Sequence, residues 1–164
     1  MSEQEWFEQL YRSGYRRLVL SAYAVLGDLG EAEEVAQEAF AVGYRKRSTL
    51  AAADSPEAWL RTVAVNAARR RAKRRAMLDR IMFREPALGL VAAAGEYADL
   101  HDAIRGLPVD QRSVVVLHYL ADLPVAEIAE LLGIAPGTVK SRLSRARQCL
   151  AERLDIRTAE VDRA

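Results

Sequence analysis

Residues 124–142 read PVAEIAELLGIAPGTVKSR, in which two short apolar periods are separated by a break. The first period predicts a helix over about 125–132 that ends at Gly133, because glycine suits the left-handed conformation just past a helix end. Pro136 then begins a second helix, which we expect to run to about Leu154. The apolar side chains that can meet across this turn are Ile128, Leu132, Val139 and Leu143. The pattern predicts a helix-turn-helix, whose second helix can lie in a DNA major groove.

The outward side of this second helix is polar and basic. Arginine can form a bidentate pair with guanine, whereas lysine and serine hydroxyls more often hold phosphate groups. The candidate DNA-contacting residues are Thr138, Lys140, Ser141, Arg142, Ser144, Arg145 and Gln148. A plain helical hairpin with a charged face is the simpler alternative, and the basic character of the whole outer face weighs against it.

Apolar residues follow helical spacing through most of the remaining chain, and signals for strands are nearly absent. The spacing predicts a first helix over about 3–26, a second that begins near Glu31, a third over about 56–82 and a shorter one over about 110–120. The segment 48–55 has no sustained period, and we expect a loop from about residue 46 to residue 55. In the third helix, the side chains expected to face inward are Trp59, Leu60, Val63, Ala64 and Ala67.

The apolar period is lost between residues 83 and 98, where Pro86, Gly89 and Gly95 interrupt the sequence. We therefore expect a flexible linker in this segment. The predicted fold class is all-α, with two small helical domains, an N-terminal helical bundle and a C-terminal helix-turn-helix domain. The predicted boundaries are 1–82 for the first domain, 83–98 for the linker, 99–155 for the second domain and 156–164 for a tail.

Charge is distributed unevenly along a chain whose 24 basic and 23 acidic side chains nearly cancel. Residues 61–90 carry nine basic and two acidic side chains, and the strongest run is RRRAKRR at residues 69–75. Charge gathered in this way indicates a specific surface for a polyanion. A second, smaller cluster consists of Lys140, Arg142, Arg145 and Arg147.

The third helix combines its apolar side with candidate nucleic-acid contacts, which are Arg61, Asn66, Arg69, Arg70, Lys73 and Arg74. Phosphate neutralisation by such groups would make binding strongly dependent on salt. An asparagine can read a base edge. A single asparagine on a helix can also be a surface or packing residue, so the residue type leaves both roles open for Asn66.

The composition excludes several other classes of protein. One cysteine excludes a disulfide framework, and with only two isolated histidines it leaves almost no residues for a zinc site, so we expect neither a metal nor a cofactor. The sequence has no nucleophile elbow, P-loop, HExxH motif or glycine-rich dinucleotide loop, so we do not expect an enzyme. No apolar run approaches the ~18 residues of a membrane span, and the acidic N-terminus lacks a signal-peptide core. We therefore expect a cytoplasmic protein without membrane insertion.

The N-terminal half resembles region two of the extracytoplasmic-function (ECF) group of bacterial RNA polymerase sigma factors. Residues 31–40, EAEEVAQEAF, are similar to the acidic signature of that region. Pro56, the Trp59-Leu60 pair and Asn66 fall where the family has the same residue types. The C-terminal half, above all GTVKSRLSRAR at residues 137–147, resembles region four. Two such blocks in the family's order are a stronger signal than a helix-turn-helix alone.

The resemblance implies a dissociable subunit that gives core RNA polymerase its promoter specificity. On the acidic side of the second helix, the residues that would bind the clamp helices of the largest polymerase subunit are Glu33, Glu34, Gln37 and Glu38. Without the resemblance, the same side chains could be a solvated surface. The flap region of polymerase is the second contact that the family implies.

The resemblance also assigns the two basic regions to two promoter elements. Segment 46–55 and the third helix would read and open the minus-ten element, with Asn66 holding an extruded base. The minus-ten residues would be Lys46, Arg47, Arg61, Asn66, Arg69, Arg70, Lys73 and Arg74. The helix from Pro136 would read the minus-thirty-five element as duplex DNA, through the candidate residues named above for it.

A conventional helix-turn-helix regulator that binds a palindromic operator as a dimer is the alternative function. It predicts a stable dimer, whereas the sigma-factor interpretation predicts a protein that is monomeric when free and an asymmetric site. The strongest basic run lies outside the helix-turn-helix, which favours the sigma factor. The expected partners are core RNA polymerase and promoter DNA, and an anti-sigma factor is a candidate third partner.

Overall fold

The computed structural model describes residues 1–82 and 98–161. Within these residues all regular secondary structure is helical, which confirms the predicted all-α class. The chain divides into two compact units, Met1–Pro86 and Ala87–Ala164, which we call unit 1 and unit 2. The predicted linker at 83–98 lies outside the described residues, except for Ala98, which begins the first helix of unit 2.

Unit 1 contains the helices α1 (Glu3–Leu26), α2 (Leu29–Arg45), α3 (Arg47–Ala51) and α4 (Pro56–Met82). The bounds of α1 and α4 confirm the predicted ones. The prediction of a loop over 46–55 is wrong in part, because α3 lies within it. This five-residue helix buries only Leu50, so it leaves no apolar period that a sequence could reveal.

Side-chain caps determine where the first two helices begin. Ser2 and Glu5 form a capping box on α1, in which the Glu5 N–H donates to Ser2 Oγ at 3.1 Å and the Ser2 N–H donates to Glu5 Oε2 at 2.7 Å. These bonds, from the Ser2 backbone first and its hydroxyl second, hold the pKa of Glu5 below its ordinary value. On α2, Asp28 Oδ1 accepts from the Glu31 N–H at 2.8 Å. That cap lets α2 begin at Leu29, slightly before the predicted start.

The core of unit 1 lies between α1, α2 and α4, which pack against one another. On α4 the buried side chains are Leu60, Ala64, Val65 and Ala68. The predicted inward face is therefore wrong in part, because Trp59, Val63 and Ala67 are only half-buried. The two stripes are neighbours in the helical repeat and have similar apolar composition. Packing against α1 and α2 selects between them, and the sequence of α4 alone does not.

Unit 2 contains α5 (Ala98–Arg105), α6 (Val109–Val115), a π-helical segment (Val116–Leu120), α7 (Val125–Leu132) and α8 (Pro136–Val161). The predicted helix-turn-helix is confirmed, since α7 ends at Gly133 with φ of 66° and Pro136 begins α8. The predicted end of α8 near Leu154 is wrong, because the helix continues to Val161. Part of the predicted tail is therefore helical.

The π-helical segment interrupts the helix that the sequence predicts over 110–120. The Ala121 N–H bonds to the Val116 carbonyl at 3.0 Å, one residue further back than in an α-helix. Four consecutive side chains, from Val114 to Leu117, are buried. An α-helical period would spread four consecutive side chains around the helix. The wider turn accompanies their burial against the rest of unit 2.

Candidate nucleic-acid interface

The basic run at residues 69–75 divides between two sides of α4. Arg71 and Arg75 are half-buried and face α2, where they form ion pairs with glutamates. These two arginines are one helical turn apart, so they lie on the same side of α4. The other basic side chains of the run are exposed, namely Arg69, Arg70, Lys73 and Arg74.

Asn66 shares the exposed side of α4 with these basic residues. It precedes Arg70 by one helical turn and Lys73 by two, which are spacings that place side chains on one face. The structure thus brings together five of the predicted minus-ten residues, which are Asn66, Arg69, Arg70, Lys73 and Arg74. We call this set the α4 basic face. A row of cations beside one amide can hold several phosphates and one base edge.

The other three predicted minus-ten residues lie away from the α4 basic face. Arg61 is half-buried on an earlier turn and lines a small cavity between α1, α2 and α4. Arg47 is held near the start of α1, with its Nε 2.9 Å from Glu3 Oε1 and its guanidinium 5.3 Å from the ring centroid of Tyr44. Lys46 is exposed at the junction of α2 and α3. The predicted set therefore occupies several places on unit 1.

The acidic side of α2 is partly engaged by α4. Arg71 Nη1 donates to Glu34 Oε2 at 2.9 Å, and Arg71 Nη2 donates to Glu38 Oε1 at 2.5 Å. The hydrogen bond to Glu34, with a further contribution from Glu38, raises the pKa of Arg71. Arg75 forms an ion pair with Glu31, also on α2. Glu33 and Gln37 are exposed beside them and have no side-chain partner among the described residues.

On α8 the buried side chains include Val139, Leu143 and Ala146, which confirms the predicted inward positions of Val139 and Leu143. Most of the predicted minus-thirty-five residues are exposed, namely Lys140, Ser141, Ser144, Arg145 and Gln148. Thr138 is half-buried, and its carbonyl accepts from Ser141 Oγ at 3.1 Å. Because the buried residues recur every three or four positions, the opposite side of α8 is a continuous polar surface.

Arg142 departs from the predicted outward position. It is half-buried, and its Nη2 lies 3.7 Å from Asp110 Oδ2 on α6. Sequence reasoning did not include Arg147 among the site residues, although the residue belongs to the second basic cluster. Arg147 is exposed and its Nη1 donates to the Tyr119 hydroxyl at 2.8 Å. The pairing of both arginines depends on α6 and the π-helical segment, and no signal within α8 predicts it.

His118 and Cys149 have side chains of types that are often used in catalysis or metal binding. His118 Nδ1 lies 2.9 Å from the Leu123 carbonyl, and Cys149 is a half-buried free thiol. In the described ranges, no group of three or more His, Cys, Asp and Glu residues could hold a metal ion. None of the helices in those ranges has the length and apolar content to cross a membrane.

Comparison with known proteins gives a match for each unit. The family described as Sigma-70 region 2 matches residues 10–77, and the family described as Sigma-70, region 4 matches residues 97–150. The chain is 32% identical over 164 residues to the RNA polymerase sigma-E factor of Streptomyces coelicolor, covering 98% of this chain and 93% of that protein. It is 31% identical over 153 residues to the ECF RNA polymerase sigma factor SigM of Mycobacterium tuberculosis, covering 90% and 76%.

A solved structure shares the fold. The sigma factor RpoE of Bartonella quintana, in a co-crystal with the anti-sigma factor NepR, matches with a TM-score of 0.73 and 24% identity. The match covers 92% of this chain and 97% of that chain.

The two matched regions follow one another in the order region 2, then region 4, and the relatives extend over both. A dimeric operator-binding regulator would not account for the region 2 match, so that alternative is not favoured. Unit 1 supplies an acidic helix beside a basic one, and unit 2 supplies the helix-turn-helix. With these matches, the chain belongs to the ECF group of RNA polymerase sigma factors, the subunits that bind core polymerase and direct it to promoters.

Proposed function

We propose that the two units divide promoter recognition between them. Unit 1 binds polymerase and opens the minus-ten element, and unit 2 binds the minus-thirty-five element. The observation that carries this proposal is that each unit has a long helix with a cluster of exposed basic side chains, α4 in unit 1 and α8 in unit 2. The proposed boundaries are 1–82 for the first domain, 83–98 for the linker, 99–155 for the second domain and 156–164 for the tail.

The proposed polymerase-binding residues are Glu33, Glu34, Gln37 and Glu38 on α2. Their side chains are exposed and offer carboxylate and amide oxygens, which accept hydrogen bonds from lysine and arginine. The proposed partner surface is the pair of basic clamp helices of the largest polymerase subunit. Unit 2 is proposed to lie near the flap region of the same enzyme.

The proposed minus-ten residues act in two ways. The α4 basic face holds the backbone of the promoter, while Asn66 receives an extruded base at one end of the face. The remaining members of the set, Lys46, Arg47 and Arg61, contact the DNA that flanks the face. Base flipping costs a few kcal/mol, which phosphate contacts along α4 offset.

The proposed minus-thirty-five residues on α8 are Thr138, Lys140, Ser141, Arg142, Ser144, Arg145 and Gln148. Arg145 is exposed in the middle of the polar side and is the base-reading candidate. Lys140, Ser141 and Ser144 hold phosphates on either side. Because Arg142 pairs with Asp110, it contacts DNA at the edge of the polar side of α8.

We further propose a cytoplasmic protein that is monomeric when free and has no catalytic activity of its own. Each unit alone is small and binds DNA weakly, and polymerase raises the effective concentration of one unit for the promoter when the other is bound. The free protein therefore binds promoter duplex poorly. An anti-sigma factor is a candidate partner, since the structural neighbour from Bartonella quintana was crystallised with one.

Run-off transcription tests the function directly. Core RNA polymerase is incubated with genomic promoter fragments in the presence and absence of the protein, and specific transcripts are expected only in its presence. Equal initiation without the protein would contradict the proposal, as would tight and specific footprints by the isolated protein. Sedimentation of the free protein as a stable dimer would favour a palindromic operator instead.

A charge reversal tests the assignment of α2. Glu33→Lys is expected to weaken binding to core polymerase, because it places a cation opposite a basic surface. Glu130→Lys on α7 is the matched control, since Glu130 is also exposed and its substitution makes the same change in net charge in unit 2. Equal affinity of both variants for core polymerase would remove α2 from the polymerase interface.

A further inference from the structure

Arg71 connects the two helices that the proposed function assigns to different partners. It lies on α4, whose exposed face is assigned to DNA, and it bonds to Glu34 and Glu38 on α2, which are assigned to polymerase. Its two terminal nitrogens each take a different carboxylate, and those carboxylates are one helical turn apart. One guanidinium therefore determines the positions of two acidic side chains.

The contact is poorly suited to a purely stabilising role. The side chain of Arg71 is 27% exposed, and those of Glu34 and Glu38 are 66% and 57% exposed. Ion pairs in such surroundings contribute little to folding stability, because solvent screens the charges. The hydrogen bonds to Arg71 use one oxygen of each carboxylate, Glu34 Oε2 and Glu38 Oε1. The second oxygen of each can accept from a partner.

Without Arg71, the negative charges of Glu34 and Glu38 would repel each other. Like charges at positions i and i+4 of a helix repel, and long side chains lose rotamer freedom when a partner orders them. A guanidinium between the two carboxylates removes the repulsion and restricts both side chains in the free protein. Arg75 and Glu31 form a second ion pair between α4 and α2, one turn along α4.

We propose that Arg71 is a positioning residue for polymerase binding, which holds Glu34 and Glu38 in the arrangement in which a basic helix of polymerase meets them. This inference rests on the proposed function of α2. The surface fits a helix that presents lysine or arginine side chains, each of which bonds a carboxylate oxygen that Arg71 does not use. A surface that is ordered before binding loses less conformational entropy on binding. Arg71 therefore strengthens the binding of a basic helix, although Arg71 itself is also positively charged.

The direction of the effect separates positioning from simple electrostatics. Removal of Arg71 makes the acidic side of α2 more negative, which by itself would tighten the binding of a basic partner. Removal of a positioning group has the opposite effect, because Glu34 and Glu38 must then be ordered at the moment of binding. Weaker binding after loss of a positive charge is the signature of positioning.

The test measures the affinity of the full-length protein for core RNA polymerase. Arg71→Ala is expected to weaken binding about five- to tenfold, since two long side chains lose their prior ordering. Arg71→Lys is expected to recover part of the loss, because lysine keeps the charge but lacks the planar fork. The control is Arg80→Ala, which removes the same charge from an exposed position on α4 and is expected to change the affinity less than about twofold.

Unchanged or tighter binding by Arg71→Ala would overturn the positioning role. If Arg71→Ala fails to unfold cooperatively, the affinity of Arg71→Lys is the test instead. The proposal requires Arg71→Lys to bind core polymerase more weakly than the unaltered protein. A loss confined to promoter opening, with normal affinity for core polymerase, would also overturn the proposal. It would mean that Arg71 contacts DNA.

A double substitution distinguishes this inference from the proposed function. If Glu34→Gln with Glu38→Gln leaves the affinity for core polymerase intact, the assignment of α2 itself fails. If that pair weakens binding and Arg71→Ala does not, only the positioning role fails. In the background of both glutamines, Arg71→Ala is expected to cause no further loss. A full further loss would mean that Arg71 bonds to polymerase directly, against the proposal.

Discussion

The basic side chains of the two long helices α4 and α8 have different surroundings. On α4, half-buried arginines at positions 71 and 75 turn toward glutamates of α2, while the α4 basic face stays exposed. On α8, Lys140 and Arg145 are exposed, and the one ion pair of the helix with another described element is the longer contact from Arg142 to Asp110. The difference lies in the neighbouring helix: α2 presents a row of acids, whereas α6 presents a single aspartate at its start.

This difference indicates that basic residues in the same run can have separate tasks. In unit 1, Arg71 and Arg75 pair with glutamates of α2, and the residues of the exposed α4 basic face are the proposed DNA contacts. In unit 2, Lys140 and Arg145 are exposed and are proposed DNA contacts, whereas Arg142 and Arg147 contact Asp110 and Tyr119 on neighbouring elements. We expect each unit to unfold with its own core, and substitutions in each unit test this comparison.

The largest effects are expected in the two cores. Leu60→Ala in unit 1 and Leu143→Ala in unit 2 each remove a side chain that is at most 3% exposed, and each is expected to cost about 2–5 kcal/mol. Both tryptophans of the chain, Trp6 and Trp59, lie in unit 1. Tryptophan fluorescence during urea unfolding therefore reports unit 1, whereas circular dichroism reports both units.

Leu143→Ala should shift the circular dichroism transition and leave the fluorescence transition in place. Leu60→Ala should shift both. An equal shift of the fluorescence transition by Leu143→Ala would contradict the independence of the units.

A smaller effect is expected on the proposed minus-thirty-five surface of unit 2. Arg145→Ala should reduce discrimination between minus-thirty-five sequences by roughly 1–3 kcal/mol, because an exposed arginine on the recognition helix can pair with guanine. Arg142→Ala should reduce discrimination less, since Arg142 lies near Asp110 at the edge of the surface. Holoenzyme affinities for promoters with single base changes measure both. Equal losses on every sequence would mean that Arg145 touches phosphate only.

Gly43 in unit 1 and Gly133 in unit 2 stabilise the fold for different reasons, and we expect their replacement to lower the free energy of unfolding moderately. At Gly43 an added Cβ would lie 2.8 Å from Leu60 Cδ2 and 3.2 Å from Leu50 Cδ2, so Gly43→Ala is expected to cost about 1–3 kcal/mol by overpacking. Gly133 has open space around it but a φ of 66°, so Gly133→Ala is expected to cost about 1 kcal/mol in backbone strain.

Gly133→Asn tests whether backbone strain is the reason for glycine at position 133, because asparagine tolerates the left-handed conformation better than alanine. Urea unfolding of all three variants is the measurement. If the asparagine variant is no more stable than the alanine variant, backbone strain is not the reason for glycine at this position.

The smallest effect concerns the helix starts. The pKa of Glu5 is lowered by its bonds to Ser2, so its capping contribution is present above the ordinary glutamate pKa and is lost as pH falls through the lowered value. The first turn of α1 should fray over that acid range, as followed by amide chemical shifts. Glu5→Gln should abolish this pH dependence. The start of α8 should lack it, because Ala135 offers no side-chain acceptor.

Much of the fold could be predicted from local sequence. The apolar period of α1 and α4, and the Gly133 and Pro136 signals of the helix-turn-helix, are short-range features that hold wherever the segment lies. The helix α3 was missed because a single buried residue, Leu50, gives no period. The end of α8 was also missed, since residues beyond Leu154 carry no stop signal. The residue sets assigned to polymerase and to promoter elements remain predictions.

The sequence by itself determined an all-helical chain, the helix-turn-helix, and the gathering of positive charge into two regions. Tertiary structure alone decided which of two neighbouring stripes of α4 is buried, why Arg71 and Arg75 bind glutamates while Arg70 and Arg74 are exposed, and why Arg142 turns toward Asp110. The physical reason is that helical periodicity is a property of one segment. The rotation of a helix about its axis depends on the side chains of other helices, which lie far away in the sequence.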